Sequence, residues 1–283
     1  MAADIRVLVA REDNAVARQT AEILKRELLH IGWSSTEIVV AADGQIALPW
    51  REGESLLVGL GAKALASVAR AAGGRPVVGA LVSRSTLEDL NVSATDHLSV
   101  IALDQPAERW LALIQAAFPG RQQVGILGSP ANLRSMRNLE RRASERHLGL
   151  TSESLATSED LVPRLSKLLP RIGVLLALPD PLVHNRNTVQ PLLLTTYRAG
   201  VPVVGYSDSY LQAGCTVALY STAPQIGRQV METLKQVAEG QAPPSLQPPR
   251  YYTVGVNEAV SRSLELSLPS AADLEDRLHN LDQ

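Results

Sequence analysis

The sequence predicts an α/β protein built as two similar lobes, each a parallel sheet flanked by helices. Short β-branched runs alternate along the chain with longer segments of helical period, the pattern of strand-helix units around a parallel sheet. The series restarts near Asp104, so the strands fall into two successive sets. With 283 residues the chain also exceeds the size of most single domains, which commonly hold about 100 to 200 residues.

The first set opens on the strand "IRVLVA" (Ile5 to Ala10). Asp13 or Asn14 can cap the following helix, whose apolar positions include Val16, Ala17, Ile23, Leu24 and Leu28 and which ends near Gly32. "TEIVVA" and "SLLVGLG" supply two further strands, with a helix over 62–72 stopped by Gly73 and Gly74. "PVVGALVS" (Pro76 to Ser83) and "LSVIALD" (Leu98 to Asp104) complete the set. In the second set Pro106 suits the first turn of a helix, "QVGILGSP" is a strand ending in a turn, and 132–148 reads as a long amphipathic helix ended at Gly149. The strands "LTSESLA", "RIGVLLALPD", "VPVVGYSD" and "CTVALYS" follow, with helices over about 158–169, 184–199 and 208–213. A helix over 224–238 leads through the loop "EGQAPPSLQPP" to a last strand, "YYTVGV".

Composition excludes several classes. Hydrophobic residues at 45% and charged residues at 20% describe a folded globular chain. The 27 Lys and Arg nearly balance the 29 Asp and Glu, leaving −2, so the chain has no electrostatic footprint for nucleic acid. The basic run "NLRSMRNLERRASER" reads as the solvated face of a helix. Cys215 is the sole cysteine, which rules out an internal disulfide or a cysteine zinc site. No apolar stretch reaches the roughly 18 residues of a membrane helix.

In open parallel sheets, ligands bind outside the carboxyl ends of the strands, so the segments after strands deserve inspection. "GLGAKA" lacks the third glycine of a dinucleotide fingerprint, and no phosphate-loop GK[ST] occurs. The five histidines, His30, His97, His147, His184 and His279, are scattered, so no metal and no cofactor is expected. Ser129 in "GILGSPAN" lacks the second glycine of a nucleophile elbow; Ser129 and Asn132 read instead as helix caps able to donate to a ligand. "LLALPDPLVHNRNTVQ" gathers Asp180, His184, Asn185, Arg186 and Asn187 after a central strand. Asp180 and His184 together could transfer a proton, or Asp180, between two prolines, could simply hold a turn; the expectation is a protein that is not an enzyme.

The order of these motifs resembles the substrate-binding proteins of ABC transporters whose better-known members bind tryptophan and other aromatic amino acids. The segments that carry the likeness are "VGLGAKALASV", "VGILGSPANLRSMRNLERRASERHLGL", "LPDPLVHNRNTVQPLLLTTYRAGVPVVG", "PVVGYSDSYLQAGCTVALYSTAPQIGRQVMETLKQVAEGQAP" and the tail "YYTVGVNEAVSRSLELSLP". The chain departs from many members in having "PDPLVHN" where they have "TDN", and "YSTAP" where they carry an Asp.

The resemblance implies a type I periplasmic-binding fold: two similar Rossmann-like lobes with parallel sheets, joined by a multi-strand hinge that closes on a small ligand. One lobe would comprise 1–103 with about 222–249, the other 104–221 with about 250–283. The implied ligand shell is Asn14, Gly61, Ala62, Ser83 and Arg84 from the first lobe, and Ser129, Asn132, Asp180, Asn185 and Asp208 from the second. Helix N-termini, serine hydroxyls and Arg84 would hold a ligand carboxylate, and Asp180 an ammonium. Trp50, Tyr197, Tyr206, Tyr210 and Tyr220 are the candidates for an aromatic wall. The implied partner is an ABC permease in the membrane or, in the alternative reading, a sensor protein that the closed form signals to. The implied protein is a periplasmic or otherwise extracytoplasmic monomer that binds no nucleic acid, with its signal peptide expected outside this sequence.

Overall fold

The computed structural model describes residues 5–40, 54–90, 97–135 and 137–281. In the first strand, β1 (Arg6–Arg11), Val7 and Val9 enter one hydrophobic cluster while Leu8 and Ala10 enter a second. Successive side chains of a strand point to opposite faces, so a strand covered on both sides reads as one continuous apolar run. Helix α1 (Ala15–His30) starts at Asn14, whose Oδ1 accepts the Ala17 amide over 2.9 Å, and buries Ala17, Ala21, Leu24 and Leu28. Then come β2 (Ser34–Val39), β3 (Glu54–Leu60), α2 (Ala62–Ala71), β4 (Val77–Val82), α3 (Arg84–Asp89) and β5 (Leu98–Ala102).

The second series runs α4 (Ala107–Ala117), β6 (Gln123–Gly128), α5 (Pro130–Ser135), α6 (Arg137–Glu145), β7 (Gly149–Ser154), α7 (Leu161–Leu168), β8 (Val174–Leu176), α8 (Val189–Arg198), β9 (Val203–Gly205), α9 (Asp208–Ala213) and β10 (Val217–Tyr220). The chain continues through α10 (Ala223–Ala238), β11 (Leu246–Gln247), β12 (Thr253–Val256), α11 (Glu258–Ser263) and α12 (Ala271–His279).

Two compact units result, one of residues 1–103 with 221–252 and the other of 104–220 with 253–283. The sheet of the first has the strand order β11-β5-β4-β3-β1-β2 and is parallel throughout. Helix α10 belongs to this unit because its apolar face, with Ile226, Val230 and Leu234, completes the cluster of Val7, Leu24 and Leu28. The second sheet has the order β12-β10-β9-β8-β6-β7 and is parallel except for β12, which runs antiparallel to β10. Leu127, Leu165, Leu175, Leu192 and Ala218 build its core cluster.

Some sequence expectations need correction. The helix expected over 184–199 begins at Val189, because Asn185 holds the preceding residues in a turn: its Nδ2 donates to the Pro181 and Leu182 carbonyls over 3.1 and 3.3 Å, and its Oδ1 accepts the Asn187 amide over 3.0 Å. The helix expected over 132–148 starts two residues earlier, at Pro130, and its last described segment stops at Glu145, followed by a turn with His147 at φ 58°. Among the elements without a counterpart are α3, too short to show a period; β11, two residues among prolines; and α12, started by a capping box between Ser270 and Asp273.

Candidate functional site

In both units the carboxyl ends of the parallel strands lead into helix N-termini, where backbone amides lack partners within the helix. Most of the residues expected to meet a ligand lie at the starts of these helices. In the first unit Asn14 is the exposed cap of α1. Gly61 precedes α2 with φ 101° and ψ 162°, a region open essentially to glycine alone, and Ala62 is the first residue of that helix. Ser83 caps α3, its Oγ accepting the Thr86 amide over 3.2 Å and lying 2.7 Å from Thr86 Oγ1, while the exposed Arg84 opens the helix.

Glu12 emerges as a residue that the sequence reading passed over. Its Oε1 accepts the Lys63 amide over 2.9 Å, so the loop after β1 caps the helix after β3. A Cβ at Gly61 would stand 2.5 Å from the Glu12 carboxyl carbon, which leaves the position to glycine on a second ground. The neighbouring Arg11, 8% exposed, directs Nε to Glu37.

In the second unit three of the expected residues meet in one network. Asp180 follows β8, is 4% exposed, and receives the Ser129 amide on Oδ2 over 2.6 Å and Asn132 Nδ2 over 3.1 Å. Its Oδ1 accepts the Leu182 amide over 3.0 Å. Asn132 also donates to the Pro179 carbonyl over 3.2 Å, and its amide binds Ser129 Oγ over 3.2 Å. Burial pushes the Asp180 carboxyl up, but the donors from Ser129, Asn132 and Leu182 outweigh it and hold the group below its ordinary value. Asp180 is thus ionised at neutral pH.

The other two expected residues stand apart from this network in their bonding. Asn185 spends its side chain on the turn already described. Asp208 opens α9 at the surface, accepting Gln212 Nε2 over 2.6 Å and the Tyr220 hydroxyl over 3.2 Å. Burial, and then the Asp208 charge, push that phenol up to about 12.

The proton-transfer pairing of Asp180 with His184 is not what the side chains do. His184 Nδ1 lies 2.9 Å from the Tyr210 hydroxyl, and the link to Asp180 runs through the backbone, His184 N to Asp180 O at 2.8 Å. Burial lowers the His184 pKa to about 4 against the raising influence of Asp180. Of the candidate aromatic residues, Tyr197 is 45% exposed, Tyr206 and Tyr220 are half-buried and Tyr210 is buried at 3% exposure, while Trp50 lies outside the described residues. Among the described residues no group of three or more His, Cys, Asp or Glu is placed to hold a metal, and no helix is long and apolar enough to cross a membrane.

A family model described as ABC transporter substrate binding protein matches residues 32–270. No curated protein sequence matches the chain. Among solved structures, a conserved domain protein from Vibrio cholerae is 20% identical, covering 97% of this chain and 98% of its own at a TM-score of 0.70. The ligand-free, open structure of a substrate-binding protein with adhesive properties from Clostridium difficile is 14% identical, covering 94% and 96% at a TM-score of 0.76. An ABC domain in complex with L-Trp from Streptococcus pneumonia is 13% identical, covering 96% and 98% at a TM-score of 0.67. At these identities the structures establish the type I periplasmic-binding fold, and the family is one of solute binding, not of catalysis. This chain belongs to the family of ABC transporter substrate-binding proteins.

Proposed function

We propose that the chain is the solute-binding component of an ABC-type uptake system, a monomer outside the cytoplasmic membrane that hands one small organic solute to a membrane permease. The observation that carries this reading is the family match over residues 32–270. In the proposed mechanism the solute contacts strand-end loops of both units, and a hinge at the chain crossings closes because only a closed form offers both sets of contacts. The solute is of the size of an amino acid, as in the L-Trp complex of the Streptococcus protein. Asp180 supports that reading: it is ionised, and a carboxylate oxygen such as Oδ1, which accepts the Leu182 amide, can accept a further donor from a ligand ammonium or hydroxyl.

The test is a thermal-shift panel of amino acids, nucleosides, sugars and small organic acids. A true solute at a hundred times its Kd adds about 2.7 kcal/mol to stability. A panel in which no member moves the transition contradicts the reading.

A further inference from the structure

The carboxyl ends of β8 and β9 hold a cluster that the substrate-binding family match does not account for. The rings of His184, Tyr206 and Tyr210 pack in a triangle, with centroids 5.6 Å apart for His184 and Tyr206, 5.3 Å for His184 and Tyr210, and 5.5 Å for the two tyrosines. His184 Nδ1 is paired with the Tyr210 hydroxyl at 2.9 Å. Its Nε2 has no partner among the described residues and no contact with solvent, although the residue as a whole is half-buried.

Counting hydrogens assigns the tautomer. The imidazole is neutral at pH 7, since burial lowers its pKa to about 4. A proton on Nδ1 would donate to the Tyr210 oxygen, leaving the tyrosine's own hydrogen without an acceptor and the Nε2 lone pair without a donor. A proton on Nε2 lets the Tyr210 hydroxyl donate to Nδ1, and only Nε2–H remains unmet. Two unmet buried groups cost more than one, so the second arrangement prevails.

Resting on the solute-binding reading above, we propose that His184 is a specificity-determining residue, its Nε2–H donating to an uncharged acceptor, a carbonyl oxygen or ring nitrogen, on a planar solute that packs beside Tyr206. The Asp180 charge is felt at both His184 and Tyr206, which disfavours a carboxylate at the same point. Tyr206 supplies the ring surface, being half-buried with no hydrogen bond to its hydroxyl among the described residues. In this proposal Tyr206, the partly exposed ring beside His184, shifts to admit the solute while His184 keeps its Nδ1 bond to Tyr210.

The test uses uridine and adenosine as planar solutes with uncharged acceptors, indole-3-acetate as a planar anion and D-glucose as a non-planar control. The expected result is that a nucleoside stabilises the protein, and that His184→Phe lowers that affinity roughly tenfold or more. The same variant removes the unmet Nε2–H but leaves the buried Tyr210 hydroxyl without its acceptor, so the transition without solute should stay close to that of the unmodified protein. Unchanged affinity in His184→Phe, or binding confined to indole-3-acetate or glucose, overturns this inference and leaves the solute-binding reading standing. Failure of every compound here and in the broader panel overturns both. Should His184→Phe fold poorly, nitrogen-15 spectra of the unmodified protein decide: a neutral ring carrying its proton on Nε2 is expected, and the Nδ1–H tautomer overturns the proposal.

Discussion

The backbone amide of Ser129 donates to Asp180 Oδ2 over 2.6 Å, so the loop after β8 caps the helix that follows β6. This bond, with those from Asn132 and Leu182, makes a buried charge serve as a fastener between neighbouring strand ends. Replacing Asp180 with Ala leaves buried donors without an acceptor and should cost about 2 to 4 kcal/mol. Urea unfolding at pH 7 measures this, and a loss under 0.5 kcal/mol, about the scatter expected of a surface change, would count against the network.

The same carboxylate sets an acid dependence. Its folded pKa lies below its ordinary value, so its stabilisation is fully present at neutral pH. It should be lost as pH falls below about 4, toward the lowered value. The stability gap between the unmodified chain and Asp180→Asn should therefore narrow between pH 6 and pH 3, and a gap that widens on acidification would contradict the assignment.

Gly61 and Gly214 separate backbone strain from crowding. Both have left-handed φ, 101° and 114°, but a Cβ at Gly61 meets the Glu12 carboxyl at 2.5 Å while one at Gly214 meets nothing within 4 Å. Gly214→Ala should cost about 1 kcal/mol from strain alone. Gly61→Ala should cost about 2 to 3 kcal/mol, since it also displaces the cap on α2. Equal losses in thermal unfolding would mean that Glu12 gives way freely.

Leu234 joins α10 to the first unit. It is fully buried in the cluster with Leu24, Leu28 and Val230. Leu234→Ala should destabilise by about 2 to 5 kcal/mol, and amide exchange should accelerate in α1 and β1 before it does in β6 or β8. Faster exchange in the second unit first would break the assignment of α10.

Cys215 is 1% exposed, and burial pushes its thiol up to about 12. It should resist a thiol reagent at pH 8 and react only as the second unit opens, so its labelling rate should track unfolding by urea. Rapid labelling of the folded protein would contradict its burial.

The strand-helix series was legible because the central strands are buried on both faces and so read as uninterrupted apolar runs, as in "IRVLVA". Short elements escaped for a physical reason: α3 buries none of its residues, and β11 gains its identity only by pairing with β5. The start of α12 was readable as a capping box, "SAAD", but was passed over. Within the site, the caps Asn14, Ser83 and Ser129 could be read from residue type and position. What Asp180 does could not, since its partners Ser129 and Asn132 lie 51 and 48 residues away in the chain. Glu12 escaped likewise, its partner Lys63 being 51 residues on. The His184 cluster depends on the turn that Asn185 ties, where the helical period suggested an early helix start.

Isothermal titration of the purified protein with the compound that gives the largest thermal shift tests the solute-binding claim most directly. The account predicts saturable binding of one solute per chain, with a negative heat-capacity change from apolar burial. Absence of saturable heat for every such compound, or binding of several solutes per chain at similar affinity, would contradict it.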